Sequence, residues 1–173
     1  MTDRLRILGI DPGSRLTGFG VIDCDGDRFR YVASGAVNSA AGDFPSRLQV
    51  IFEAVGQIVD AHRPDVVAIE SVFMHRNASS ALKLGHARAA AICATFEQDV
   101  DVVEYSPREI KQATVGTGAA TKTQVQHMVM SLLGLDGEPS PDAADALAAA
   151  LCHGNRRRMS ERLQDAAVAA VRS

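Results

Sequence analysis

From position 141 the sequence reads Pro-Asp-Ala-Ala-Asp-Ala-Leu-Ala-Ala-Ala-Leu-Cys, and Asp142 and Asp145 are the only polar side chains up to Cys152. Alanine and leucine are strong helix formers, and a helix that is apolar all round is buried all round. This segment therefore has to pack inside the fold. Ser140 and Pro141 suit the N-cap and first helical position, which places both acids in the first turn, where the helix dipole favours negative charge. Three residues apart, they lie within about 60° on one side of the helix. With only apolar residues following, they face inward.

The rest of the chain supplies a sheet for that helix. Residues 5–11, 18–24 and 28–37 read as strands, with Asp25-Gly26-Asp27 a hairpin turn between the last two. Leu48, Ile51, Phe52, Val55, Ile58 and Val59 recur at helical spacing, and His62-Arg63-Pro64 stops that helix before a strand at 66–70. An alanine-rich helix over 78–96 and a strand over 100–105 follow. Helices are expected over 107–114, 121–133, where Thr121 and Gln124 form a capping box, and 141 to about 155. A short helix after Ser160 would complete the chain. The expected fold class is α/β, a five-stranded mixed sheet flanked by helices, with one domain over 1–158 and a basic tail over 159–173.

With 173 residues, 46% of them hydrophobic, the chain suits one domain with a real core. Neither a signal peptide nor a membrane span is apparent, which points to the cytoplasm. Cys24, Cys93 and Cys152 are odd in number and set in apolar runs, so buried thiols are expected. The net charge is -3, but setting four acids aside as neutralised leaves the remainder at +1. No acid occurs over 71–96, where Arg76, Lys83 and Arg88 stand, and Arg156, Arg157, Arg158, Arg162 and Arg172 crowd the tail. Such clusters suit either nucleic acid or solvated surface.

Two more acids end apolar runs: Asp11 closes Ile7-Leu8-Gly9-Ile10, and Glu70 closes Val66-Val67-Ala68-Ile69. Asp11-Pro12-Gly13 also suits a tight turn. Functional groups commonly sit at the carboxyl ends of strands in α/β sheets. If the 141–155 helix packs on the central strands, Asp142 and Asp145 reach Asp11 and Glu70. Four gathered carboxylates either share protons or bind hard divalent cations, and the lack of Cys or His among them favours Mg²⁺ or Mn²⁺ over zinc. Two such ions about 4 Å apart would serve phosphodiester hydrolysis. His75, His86, His127 and His153 have no partner at informative spacing.

Several stretches resemble the RuvC family of bacterial Holliday junction resolvases: Ile7-Leu8-Gly9-Ile10-Asp11-Pro12-Gly13-Ser14 with Thr17-Gly18, Ile69-Glu70-Ser71-Val72-Phe73, Ser80-Ala81-Leu82-Lys83-Leu84-Gly85, Lys122-Thr123-Gln124-Val125-Gln126-His127-Met128 and Asp142-Ala143-Ala144-Asp145-Ala146-Leu147-Ala148. The resemblance covers nearly the whole chain. It implies an RNase H-like fold and a homodimer that nicks opposing strands of four-way junction DNA symmetrically, working with the RuvA and RuvB branch-migration complex. It implies that Asp11, Glu70, Asp142 and Asp145 are catalytic metal ligands for two Mg²⁺ ions, with Mn²⁺ able to substitute. Lys111 and Lys122 would contact the DNA backbone near the cut, and Phe73 would stack on opened bases. Arg76 and Lys83 would add DNA contacts from the acid-free segment. Ala87 to Ala94, small residues on a helix, are a candidate dimer contact. Two other readings compete. An actin- or sugar-kinase-like ATPase would need a second phosphate loop, which the sequence lacks, and a non-catalytic junction-binding module would need a ligand position lost.

Overall fold

The computed structural model describes residues 4–71 and 77–172. Three antiparallel strands open the chain: β1 (Leu5–Asp11), β2 (Leu16–Asp25) and β3 (Arg28–Asn38). Gly26, at a φ of +53°, makes the β2–β3 turn. After α1 (Phe44–His62), β4 (Val66–Glu70) pairs parallel to β1, and after α2 (Ala78–Cys93), β5 (Asp101–Tyr105) pairs parallel to β4. The sheet order is β3-β2-β1-β4-β5. Three helices end the chain: α3 (Pro107–Val115), α4 (Lys122–Leu133) and α5 (Pro141–Arg172).

Strand alternation divides the core between the two faces of the sheet. Leu8, Ile10, Val67 and Ile69 pack with α1 and α2, whereas Ile7, Ile22, Ala68 and Tyr105 pack with α3, α4 and α5. Every residue from Ala146 to Cys152 is fully buried, as an all-apolar helix requires. Three strand glycines let α5 approach closely. A methyl group at Gly9 would overlap the Ala146 carbonyl, one at Gly18 the Asp142 carbonyl, and one at Gly20 the Leu147 side chain.

Three sequence expectations need correction. α5 does not end near Asn155 but runs unbroken to Arg172, so the tail continues this helix rather than starting a separate one after Ser160. No proline interrupts it, Gly154 packs under Phe29, and the extension is held by Arg157 to Glu161 at i,i+4 and by Arg158 on Asp27 of the β2–β3 hairpin, to which the exposed Arg162 adds a weak pair. The helix expected over 78–96 stops at Cys93, and a 3₁₀ turn occupies Phe96–Gln98. Cys93 is exposed, because it lies on the outer face of α2 while Ala87, Ala91 and Ala94 face inward; Cys24 and Cys152 are buried as expected.

Candidate metal and nucleic-acid site

Asp11 and Glu70 are the last residues of the two central parallel strands, one step beyond the paired positions Ile10 and Ile69. By alternation from Ile7 and Gly9, and from Val66 and Ala68, both carboxylates project toward the α5 side of the sheet. Asp11 is also paired with Gly18 across β1 and β2, and Gly18 lies directly beneath the Asp142 backbone. The first turn of α5 is thus set over the strand ends. Its start is fixed by Ser140, whose hydroxyl accepts from the Ala143 amide at 3.3 Å, and by Gln126 of α4, which donates to the Pro139 carbonyl at 3.0 Å. The turn after β1 is closed by buried Thr17, whose hydroxyl donates to the Gly13 carbonyl at 3.0 Å.

The electrostatics join all four acids. Burial, followed by the charges of Glu70, Asp145 and Asp142, pushes the Asp11 carboxyl up to about 8. Glu70 is also raised, by burial and then by Asp145. Two lysines oppose this. Lys122, the first residue of α4, donates to Asp145 Oδ2 at 3.0 Å, and this bond holds its ammonium above the usual lysine range. Lys111 of α3 acts on Glu70, favouring its ionised form.

Among the described residues no three His, Cys, Asp or Glu side chains are gathered tightly enough to hold a metal ion as they stand. The four carboxylates are coupled by charge more than by contact. Their chemistry still fits a hard divalent cation: all donors are oxygen, two are raised by burial and like charge, and a bound cation would relieve both. His153, just past the buried segment, is partly buried and bonds the core residue Tyr105 through Nδ1 at 2.9 Å.

The remaining expected residues divide. Lys83 is exposed on α2, across the sheet from the carboxylates, and is not brought to them. Phe73 and Arg76 lie outside the described residues. Two of the tail arginines pack on the core of the fold: Arg156 pairs with Glu109 and lies over Tyr105, and Arg158 lies over Phe29. Gly9, Gly18 and Gly20 were missed as site-building positions, although a glycine inside an apolar strand signals a close backbone approach.

Fold and site together define an RNase H-like α/β domain with an acidic centre at the ends of its two middle strands. A family model described as crossover junction endodeoxyribonuclease RuvC matches residues 7–153. Relatives of that description from Alkalilimnicola ehrlichii and Photobacterium profundum are 54% identical over 161 residues, covering 93% of this chain and 98% of theirs, and 56% identical over 149 residues, covering 86% of each. The structure of Thermus thermophilus RuvC in complex with a Holliday junction substrate superposes with a TM-score of 0.85 at 36% identity, covering 90% of this chain and 96% of that one. This chain belongs to the RuvC family of crossover junction endodeoxyribonucleases.

Proposed function

We propose that the protein resolves Holliday junctions, cutting two opposing strands of four-way junction DNA by divalent-metal-dependent phosphodiester hydrolysis. The observation that carries this is the electrostatic coupling of Asp11, Glu70, Asp142 and Asp145, drawn from three separate elements of a RuvC-family fold. Those four side chains would hold Mg²⁺, two ions per site, with Mn²⁺ as a substitute. When bound, the ions would activate water and stabilise the leaving oxygen.

The protein's own groups supply position and charge. Asp11 and Glu70 are fixed by strand backbone and Asp142 and Asp145 by a capped helix, so the acidic centre is built on rigid elements. Lys111 and Lys122, both within electrostatic reach of it, would hold the scissile phosphate and offset its developing charge. To do so Lys122 must exchange Asp145 for phosphate, which is inexpensive for a lysine side chain 81% exposed. Phe73, outside the described residues, would stack on opened bases.

The paired cut calls for two copies. Leu82, Gly85, Ala89, Cys93 and Phe96 form an exposed small and apolar stripe along and just beyond α2, with Leu82 and Phe96 each 65% exposed, which suits packing against the same helix of a second copy. Among the described residues no helix is long and apolar enough to cross a membrane. On its family membership we place the chain in the cytoplasm, alongside RuvA and RuvB.

A junction-cleavage assay tests the reading. With Mg²⁺, synthetic four-way junctions should receive paired symmetric nicks. Asp11→Asn should bind the junction without cutting it. Equal cutting of linear duplex would overturn the proposal.

A further inference from the structure

A groove of about 890 Å³ lies between α3 and the second half of α5, away from the acidic centre. Arg108, Arg156, Arg158 and Arg162 line it. Against these cations stand Glu109 in the lining and Asp27 at its edge, so the groove is basic in a chain whose net charge is -3.

Its cations are continuous with those of the site. The Arg108 stem crosses Gly118, where an added methyl group would lie 2.6 Å from Arg108 Cγ, and Gly118 belongs to the loop that leads into Lys122. Lys111, which acts on Glu70, stands one helical turn beyond Arg108 on α3. A basic path thus leads from Lys122 and Lys111 through Arg108 into the groove. Along α5, Arg156 and Arg162 stand about 16 and 26 Å from Asp145 at 1.5 Å per residue. At 3.4 Å per nucleotide step this corresponds to about five to eight nucleotides.

We infer that this groove holds the phosphate backbone of a junction arm about five to eight nucleotides from the cut, an inference that rests on the function proposed above. Arg156 and Arg162 are more than half exposed, so their present ion pairs are weak and either guanidinium can turn to phosphate. Arg158 differs: half-buried over Phe29 and bound to Asp27, it acts as a strut for the tail. A peptide partner is disfavoured because only Met159 and Ala113 of the lining are apolar residues, while four arginines face one glutamate.

Neutral methylphosphonates provide the test. Binding is measured by fluorescence anisotropy in Ca²⁺, on a four-way junction with arms of about 20 base pairs. One version carries a neutral patch about five to eight nucleotides from the cut and another a patch beyond about 14. For the wild type, the near patch should lower affinity about tenfold and the salt slope by about two, and the far patch should do neither. Arg108→Ala with Arg162→Ala should mimic the near patch and add nothing to it, while Arg162→Lys should retain most of the affinity. The near patch also probes the native protein, so the result does not depend on the variants folding.

Near-patch and variant losses that add independently would overturn the inference. So would indifference to the patch, or a hexaglutamate peptide that binds the groove and is not displaced by the junction. Failure of the wild type to bind the junction selectively would overturn the functional reading and the groove with it. Selective binding that ignores both patch and substitution would overturn the groove alone.

Discussion

At Asp11 the fold works against its own stability. A carboxyl held up to about 8 in the folded chain binds a proton that the unfolded chain has already lost near pH 4. The stability from this group is therefore present below about pH 4 and is lost as pH rises toward 8. Asp11→Asn should raise the melting temperature at pH 8 by about 2–4 °C or more and flatten its decline with pH, while abolishing cutting. A calorimetric pH series checks it, and a lowered melting temperature at pH 8 would refute it. A divalent cation has to displace that proton, so its affinity should climb between pH 6 and about 8 with proton release on binding, measurable by titration calorimetry in buffers of different ionisation enthalpy. Asp23 shows the opposite case. Only 2% exposed, it accepts from Arg6 at 2.8 and 3.1 Å and pairs with Arg4 and Arg30, and the Arg6 bond holds its carboxyl below the usual range. Its stability is present at neutral pH and is lost as pH falls below about 4. Asp23→Ala should cost about 3 kcal/mol in urea unfolding at pH 7, and much less near pH 2.

The acidic centre depends on how closely α5 lies on β1 and β2. A methyl group at Gly18 would have to push the Asp142 backbone away, and one at Gly9 would lift α5 a turn later. Gly18→Ala should therefore cut activity at least tenfold with a stability loss of about 1–3 kcal/mol, whereas Gly137→Ala, in open space, should leave both near wild type. Loss of stability without loss of cutting would show that the α5 position is not limiting. Much of this arrangement was legible in the sequence. Period-two alternation and the all-apolar 146–152 run gave the strands and the buried helix, because burial on one or both faces leaves its mark in residue type. The length of α5 was not legible: its extension rests on Arg158 reaching Asp27, more than 130 positions away, which no local pattern records. Cys93 was misread for a related reason. Its run looks apolar throughout, yet the inner face of α2 and its C-cap is made of Ala87, Ala91 and Ala94, leaving the thiol outside.

At the scale of the molecule, a single copy carries one acidic centre, and a symmetric pair of nicks needs two held in fixed relation. The α2 stripe is the surface we propose for that relation. It is apolar without being needed for the chain's own core, which the opposite face of α2 serves through Ala87 and Ala91. Exposed Ala89 lies at its middle, so a charge there should spare the monomer fold and oppose two copies packing helix against helix. Ala89→Glu is expected to weaken self-association at least tenfold by sedimentation velocity, with an unchanged circular dichroism spectrum. On a supercoiled cruciform plasmid, paired cutting in one binding event gives a linear product, whereas separate events first accumulate nicked circles. The wild type should give mainly linear product, and Ala89→Glu mainly nicked circles that convert to linear as protein concentration rises. If Ala89→Glu remains dimeric with paired cuts intact, α2 is not the contact between copies, and the second acidic centre must be positioned by another face of the fold.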